Sequence, residues 1–307
     1  MTRRYFEYRP GLLLAAVAAL SMAVLASGPT SAAGYPDHDI TFIVPYSPGG
    51  GSDQQARRLQ PGLEKALGVN VRIVYKQGGG GAIGFNELYR SKPDGYTIAN
   101  VVVPNIIVTA KGNDVGYKPE EFAYIGMTVQ AVGVLMVPKN SKFKTLKDFV
   151  AYAKANPGKV TVAGVGTTGE ENTAKLTKVL GIKISYVPVS GGVGKMMPML
   201  AGNHVDAGVT SASHAVKHAA TVNALVVAGD SPLESLDAPN EPRWTYTTTW
   251  GVMAPPGTPA DIVAKLNDAL NKATPPVRDV VIKNGLSPMR QTPEQAKEFI
   301  QKAIAEN

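Results

Sequence analysis

Cysteine is absent from the whole chain of 307 residues, and this excludes several kinds of chemistry at once. Without a thiol, the protein can form no disulfide, no thiolate zinc site, no cysteine-ligated iron–sulfur cluster and no cysteine nucleophile. A lipid anchor on an N-terminal cysteine is excluded as well. Any functional site must therefore be built from other side chains or from the backbone.

Positive charge is in slight excess but is nowhere concentrated. The chain carries 31 Lys and Arg against 24 Asp and Glu, a formal net charge of +7, and no block of five or six basic residues occurs. A basic arm for nucleic acid is therefore not expected. A mild positive excess fits a small anionic ligand better than a polymer.

The N-terminal segment has the order of an export signal. Three arginines precede the apolar run Gly11–Ala26, and small residues follow it. Ser31–Ala33 fits a small-x-small cleavage site, which predicts a secretory signal over residues 1–33. The apolar run is shorter than the roughly 20 residues of a membrane span, although an uncleaved anchor is the alternative. The adjacent Arg3 and Arg4 also resemble a twin-arginine signal, so the export route stays open.

Strand-like and helix-like segments alternate along the rest of the chain, which predicts an α/β protein with mainly parallel sheets. About 270 residues in such units suggest two lobes. Ala123–Val137 and Trp244–Pro256 are long extended segments, and two crossings between the lobes would make the first lobe discontinuous. Trp250, on the second crossing, could pack either at the cleft or in the core. The predicted strands, rich in Val and Ile, are Ile40–Val44, Val71–Tyr75, Thr97–Val103, Val132–Val137, Lys159–Val165, Ile182–Val187, Val205–Val209, Ala224–Ala228 and Trp250–Met253.

Three helix starts carry a threonine in the capping position. Thr145 precedes apolar residues at helical spacing, and Thr258 and Thr292 are each followed by proline, with an acid or amide three residues after the threonine. A capping residue followed by proline at the first helical position is typical of a helix N-terminus. Helices are therefore predicted to begin at these three points.

Glycine-rich turns follow three of the predicted strands, at Pro45–Asp53, Gly78–Gly84 and Ala163–Gly169. Each ends where a helix should begin, and the pairs Ser52 with Gln55 and Thr168 with Glu171 fit capping boxes. A helix N-terminus leaves backbone N–H groups unpaired and carries partial positive charge, and glycine lets a ligand approach closely. Together these features predict an anion cradle. The alternative is that the glycines only make tight turns.

Signals for cofactors and catalysis are weak by comparison. Two turns match G-x-G-x-x-G, but no acidic residue follows at the position that a dinucleotide site requires, and no phosphate-loop motif occurs. His214 and His218 could share a helix face, yet zinc would need a third ligand. No G-x-S-x-G elbow is present. Glu170 and Glu171 either support a helix start or restrict the charge of the ligand. No cofactor, no metal and no enzymatic activity are predicted.

Several longer segments carry a family resemblance over essentially the whole mature chain. The chain is similar to the Bug-type periplasmic solute receptors that are associated with tripartite tricarboxylate transporters. The segments that carry this similarity are IVPYSPGGGSDQQAR (Ile43–Arg57), GGGGAIG (Gly78–Gly84), KPDGYTI (Lys92–Ile98), SYVPVSGG (Ser185–Gly192), LAGNHVDAG (Leu200–Gly208) and WGVMAPPGTPADIVAKLN (Trp250–Asn267).

The resemblance implies a type II periplasmic-binding-protein fold with two lobes, a discontinuous first lobe and a central ligand cleft. The implied lobes are residues 34–130 with 250–307, and residues 131–249. It also implies a periplasmic monomer that takes a small carboxylate and works with the membrane subunits of a tripartite transporter. The ligand-binding residues that it implies are Tyr46, Gly50, Gly51, Ser52, Asp53, Gly81, Ala82, Gly166, Thr167, Thr168, Ser190 and Ser211.

Two departures from the family pattern stand out. Val189 lies where an aromatic residue is common, and Pro61 with Gly62 interrupts the first predicted helix. Proline removes a helix hydrogen bond, so a kink or an end is expected at Pro61. Two alternatives to the receptor also stay open from sequence. One is an exported α/β hydrolase or transferase, and the other is a ligand-sensing module for a sensor kinase.

Overall fold

The computed structural model describes residues 34–306, apart from Ser231 and Glu234, and omits the side chain of Thr167. The predicted secretory signal at residues 1–33 lies outside the described residues. Nearly all the described residues belong to one compact unit that begins at Pro36. Within this described part, no helix has the length and hydropathy needed to cross a membrane.

Strands and helices alternate as the sequence predicts. The strands are β1 (Ile40–Val44), β2 (Val71–Tyr75), β3 (Thr97–Val103), β4 (Ala123–Pro138), β5 (Thr161–Val165), β6 (Ser185–Val189), β7 (Ala207–Ser211), β8 (Val222–Ala228), β9 (Asn240–Glu241), β10 (Thr247–Ala254) and β11 (Ser287–Pro288). The α-helices are α1 (Gly51–Leu67), α2 (Ala82–Tyr89), α3 (Asn105–Ala110), α4 (Leu146–Ala155), α5 (Gly166–Leu180), α6 (Val193–Ala201), α7 (Ala212–Lys217), α8 (Ala260–Ala273), α9 (Arg278–Lys283) and α10 (Pro293–Glu306). Short 3₁₀ turns occupy Gly79–Gly81, Pro119–Glu121 and Pro275–Val277.

The first sheet has the strand order β2-β1-β3-β10-β4. Strands β1, β2 and β3 are parallel, whereas β10 runs antiparallel to both β3 and β4. Strand β11 pairs with β4 at Gln130 and Val129. The carboxyl ends of the parallel strands therefore meet at one edge, and ligands of open α/β sheets bind at that edge.

The second sheet is built on the other half of β4. From Gly133 onward, β4 pairs antiparallel with β7 and with β8. Strands β5 and β6 extend the sheet in parallel beyond β7, and β9 pairs with β8. One continuous strand of 16 residues thus belongs to both sheets, as the sequence predicts for the first crossing.

Apolar residues fill both faces of the second sheet. Leu135 and Val137 belong to a cluster with Phe149, while Val134 and Met136 belong to a different cluster. Alternate residues of a strand point to opposite faces, so the apolar run in β4 serves two cores. A third cluster, which includes side chains of β3, α2 and α10, surrounds the first sheet.

Two of the three predicted caps are confirmed, and one is wrong. The Thr145 hydroxyl accepts from the N–H of Asp148, whose carboxylate accepts from the N–H of Thr145. Thr292 makes the equivalent pair of bonds with Gln295. The third helix begins at Ala260 with Pro259 as its cap residue. There the Thr258 hydroxyl donates to a carbonyl in the preceding turn, so it caps no helix.

Of the two outcomes expected at Pro61, a kink or an end, the end is wrong, because α1 continues through it to Leu67. Leu59 and Leu63 are both buried, so packing against the core stabilises the helix despite the missing hydrogen bond. Gly62 lies against α8, where an added Cβ would come within 2.6 Å of the Cα of Ala273. The Pro-Gly pair therefore marks a close helix–helix approach.

Candidate functional site

A cavity lies where five helices begin, at the starts of α1, α3, α5, α6 and α7. About 520 Å³ of space free of atoms lies within it, its opening to solvent included. The residues that line it are Tyr46, Gly50, Gly51, Ser52, Val102, Asn105, Val165, Thr168, Gly169, Gly192, Val193, Val209, Thr210, Ser211, His214, Tyr246, Thr248 and Trp250.

The helix starts around this cavity are not capped by side chains. The cap residues of the three longer helices are Gly50, Val165 and Gly192, and none of them makes a side-chain hydrogen bond to the helix. The first N–H groups of these helices are therefore left without the usual capping partner, and each helix end carries partial positive charge. Such an arrangement suits an anion.

The capping boxes predicted at this site are wrong. Ser52 and Thr168 lie inside α1 and α5, after the cap residues rather than at them. Gln55 and Glu171 accordingly cap nothing, and the Gln55 side chain is used in the interior instead. Because the two hydroxyls are not used for capping, both remain at the cavity wall.

Three hydroxyl groups at the cavity are buried without a hydrogen-bond partner among the described residues. They are the hydroxyls of Tyr46, Thr168 and Thr248. Tyr46 lies near Asn105 but not in hydrogen-bonding geometry, and burial raises the pKa of its hydroxyl, which stays protonated. A buried polar group without a partner costs about 1–3 kcal/mol, so a ligand that supplies partners would recover part of this energy.

The described side chains that line the cavity include no Asp, Glu, Lys or Arg. The buried His214 is neutral at physiological pH, because burial, and then His218 and Lys217, lower its pKa to about 3. Across the described residues no group of three His, Asp or Glu is placed to hold a metal ion. As far as the described residues go, the cavity therefore offers hydroxyls, N–H groups and a neutral imidazole, but no full charge.

Trp250 packs directly on the start of α1. An added Cβ at Gly51 would lie 2.7 Å from the Cζ2 atom of Trp250, whereas one at Gly50 would find its nearest neighbour at 3.5 Å. The backbone of Gly50 has φ −78°, which any residue adopts. There is thus no space for a side chain at Gly51, whereas Gly50 could be replaced without a steric clash.

The first glycine-rich turn also contacts the start of α6, which follows β6 of the second sheet. The N–H of Ser47 donates to the carbonyl of Gly191 at 2.8 Å, and the ammonium of Lys217 lies 3.4 Å from the carbonyl of Gly49. An added Cβ at Gly194 would lie 2.4 Å from the carbonyl oxygen of Pro48. The loops of the two sheets thus meet over the cavity.

Six of the residues predicted as ligand-binding line the cavity: Tyr46, Gly50, Gly51, Ser52, Thr168 and Ser211. Asp53, Gly81, Ala82, Gly166 and Ser190 are not among the described lining residues, and the side chain of Thr167 lies outside the described part of the chain.

Two of the residues outside the lining have structural contacts of their own. The Asp53 carboxylate accepts from the N–H of Gly49, the Tyr75 hydroxyl and Arg57, each at 2.7 Å. Burial alone would raise the pKa of Asp53, but these bonds lower it. An added Cβ at Gly81 would come within 2.9 Å of the Tyr46 hydroxyl, so this glycine leaves room for the tyrosine.

Several lining residues were not predicted as ligand-binding from sequence. Trp250 and His214 stand out in the sequence, but nothing there assigns them to the ligand site. Asn105, Tyr246 and Thr248 carry no local motif at all. Asn105 begins α3, Thr248 lies in β10, and Tyr246 directly precedes β10. These elements belong to the first sheet and its helices, and they bring the three residues to the edge of the sheet where the helices begin.

The fold and the cavity together define a class of protein: a two-lobed α/β binding protein with a central ligand cleft, of the kind found in periplasmic solute receptors. The chain belongs to the tripartite tricarboxylate transporter family receptors, whose family model matches residues 55–307. Members of this family are solute-binding receptors and not enzymes.

Individual relatives agree with this assignment. A Cupriavidus necator protein, the UPF0065 protein in the gbd 5′ region, is 31% identical, and the match covers 99% of this chain and 95% of that one. Among solved structures, a periplasmic transporter superposes with a TM-score of 0.84 at 28% identity, covering 89% of this chain and 95% of that one. MatC from Rhodopseudomonas palustris, solved with bound malate, superposes with a TM-score of 0.82 at 25% identity, covering 89% and 98%.

Proposed function

We propose that this protein is a periplasmic receptor that binds a small carboxylate-bearing solute between its two lobes and delivers it to a tripartite tricarboxylate-type membrane transporter. One observation carries the proposal: uncapped helix starts surround a cavity whose described lining residues include no ionised side chain. The partial positive charge at these helix starts is not neutralised by an acidic side chain among the described lining residues, so binding of a carboxylate is favoured. The bound malate of the related MatC supports this choice of ligand class.

In the proposed complex, the ligand carboxylate accepts from N–H groups at the start of α1 and from the hydroxyls of Ser52 and Thr168. Two of the other residues implied by the family resemblance act from behind this wall. Asp53 braces the first turn through Gly49, and Gly81 leaves space for Tyr46.

The proposed lobes are residues 34–130 with 250–307, and residues 131–249. The cavity takes α1 from the first and α5 and α6 from the second, so a ligand bridges both. A ligand that contacts both lobes stabilises the closed form by its higher affinity for that form. The contact between Ser47 and Gly191 belongs to this closed arrangement.

The proposal is tested by thermal-shift and calorimetric titration of the purified mature protein with malate, succinate, citrate and benzoate. A carboxylate at 100 times its dissociation constant should stabilise the protein by about 2.7 kcal/mol. Malamide, which has the same skeleton without the carboxylates, is the matched control and should give no shift. Stabilisation by none of these acids, or catalytic consumption of one of them, would contradict the proposal.

Two variants locate the site. Gly51→Val should abolish most binding, because its side chain enters the space held by Trp250 and distorts the first turn. Gly50→Ala is the matched control for backbone effects, since its Cβ meets no close neighbour, and it should retain the fold and measurable affinity. If Gly51→Val bound the ligand as tightly as the unchanged protein, the ligand site would not lie at the start of α1.

The proposed location is tested by fractionation. Cells should release the protein with the periplasmic fraction, shortened by about 33 residues as expected from the signal pattern. Recovery of a full-length form in the membrane pellet would refute this part of the proposal.

A further inference from the structure

Three polar side chains are buried in the core of the first sheet and are not among the residues that line the cavity. They are Gln55 on α1, Asn100 on β3 and Thr128 on β4, and each is at most 2% exposed. The Asn100 amide donates to the Gln55 side-chain oxygen, and the Gln55 amide donates to the Thr128 hydroxyl. Burying three polar groups in a core is costly unless they bond to one another, so this network needs a physical reason.

The network fills an irregularity between β4 and β10. The pairing register shifts between Trp250 and Gly251, which leaves Thr128 as an extra residue of β4. An extra residue disrupts the ladder locally. The Thr128 hydroxyl donates to the Trp250 carbonyl at 3.2 Å, and the Asn100 amide donates to the Gly251 carbonyl at 3.2 Å. The side chains therefore fix the backbone on both sides of the shift.

The same network reaches the ligand site from two directions. Through the backbone it holds Trp250, whose indole packs on Gly51 at the start of α1. Through Gln55 it also holds α1 itself, one turn after Gly51. The indole and the first N–H groups of α1 are thus tied to a single set of hydrogen bonds.

We propose that Gln55, Asn100 and Thr128 are positioning residues for ligand binding, which set the distance between the Trp250 indole and the start of α1. This inference rests on the proposed function, because it concerns the same cavity. None of the three residues touches the ligand. Their effect passes through Trp250 and Gly51.

The test compares Thr128→Val, which removes the hydroxyl at nearly constant shape, with Thr128→Ser, which keeps it. Protein labelled with 5-fluorotryptophan should show two fluorine resonances, because the chain has two tryptophans, and Trp244→Phe assigns them. Binding is measured by calorimetry with malate, succinate, citrate and benzoate.

Thr128→Val should move the Trp250 resonance of the ligand-free protein, leave that of Trp244 in place, and weaken binding at least tenfold. Thr128→Ser should stay within about threefold of the unchanged protein. An unmoved Trp250 resonance with unchanged affinity in a folded Thr128→Val protein would overturn the inference, as would equal losses in both variants. If Thr128→Val does not fold, Gln55→Met decides by the same two measurements.

Failure of this inference is distinguishable from failure of the proposed function. If the unchanged protein binds none of the four acids, the proposed function fails and the positioning role fails with it. If the unchanged protein binds and the variants behave like it, only the positioning role fails.

Discussion

Lowering the pH from 7 to 5 should destabilise this protein through His214. Burial, followed by His218 and Lys217, lowers the pKa of His214 from an ordinary 6.5 to about 3, so the folded protein leaves it unprotonated while the unfolded chain protonates it below pH 6.5. Above pH 6.5 His214 is unprotonated in both states and costs no stability. As the pH falls from 6.5 toward 3, only the unfolded chain takes up the proton, so the free energy of unfolding decreases. The slope is about 1.4 kcal/mol per pH unit, which gives about 2 kcal/mol between pH 7 and pH 5.

The assay is urea unfolding of the unchanged protein and His214→Gln at both pH values. Glutamine cannot be protonated, so the variant should lose about 2 kcal/mol less between pH 7 and pH 5 than the unchanged protein. The same pH dependence in His214→Gln and the unchanged protein would refute the reasoning, since it would mean that His214 is protonated in the folded state.

Three further predictions concern other elements. Gly194→Ala should weaken carboxylate binding at least tenfold without contacting the ligand, because its Cβ would lie 2.4 Å from the Pro48 carbonyl oxygen; calorimetry tests this, and unchanged affinity would contradict it. Thr145→Ala should lower the free energy of unfolding by about 1 kcal/mol through loss of the α4 cap, measured by urea unfolding, with Thr145→Ser as the control that keeps the hydroxyl. Asp53→Asn should lower the melting temperature, because it weakens charge-assisted bonds worth about 1.5–3 kcal/mol each; an unchanged melting temperature would show that they contribute little.

Sequence alone predicted the parallel strands of the first sheet closely. Strands β1, β2 and β3 have the predicted bounds, because each is a short apolar run bordered by turn or polar residues. The helix starts at Thr145 and Thr292 were equally accessible, since a capping box involves only four neighbouring residues. Each of these signals depends only on residues within or next to one helix or strand, and not on a distant part of the chain.

Strand ends in the second sheet were harder to predict. Predicted strands there began two or three residues before β5, β6 and β7, and β4 spans the predicted extended segment Ala123–Val137 and not just the predicted strand Val132–Val137. A strand ends where its ladder of hydrogen bonds ends, and that depends on a partner far along the chain. The extra residue Thr128 is a result of such pairing and leaves no trace in its own sequence neighbourhood.

The candidate site divides in the same way. Glycine-rich turns before helices marked where N–H groups could meet an anion, and Tyr46, Ser52 and Thr168 do lie at the cavity. Their exact helical positions, and the arrival of Trp250 and His214 at the same cavity, depend on the order of strands in two sheets. Local chemistry thus determined which groups could bind an anion. Only the long-range strand pairing decided which of them share one cavity, because residues as far apart in the chain as Tyr46 and Trp250 are brought together by hydrogen bonds between strands and not by their own neighbours.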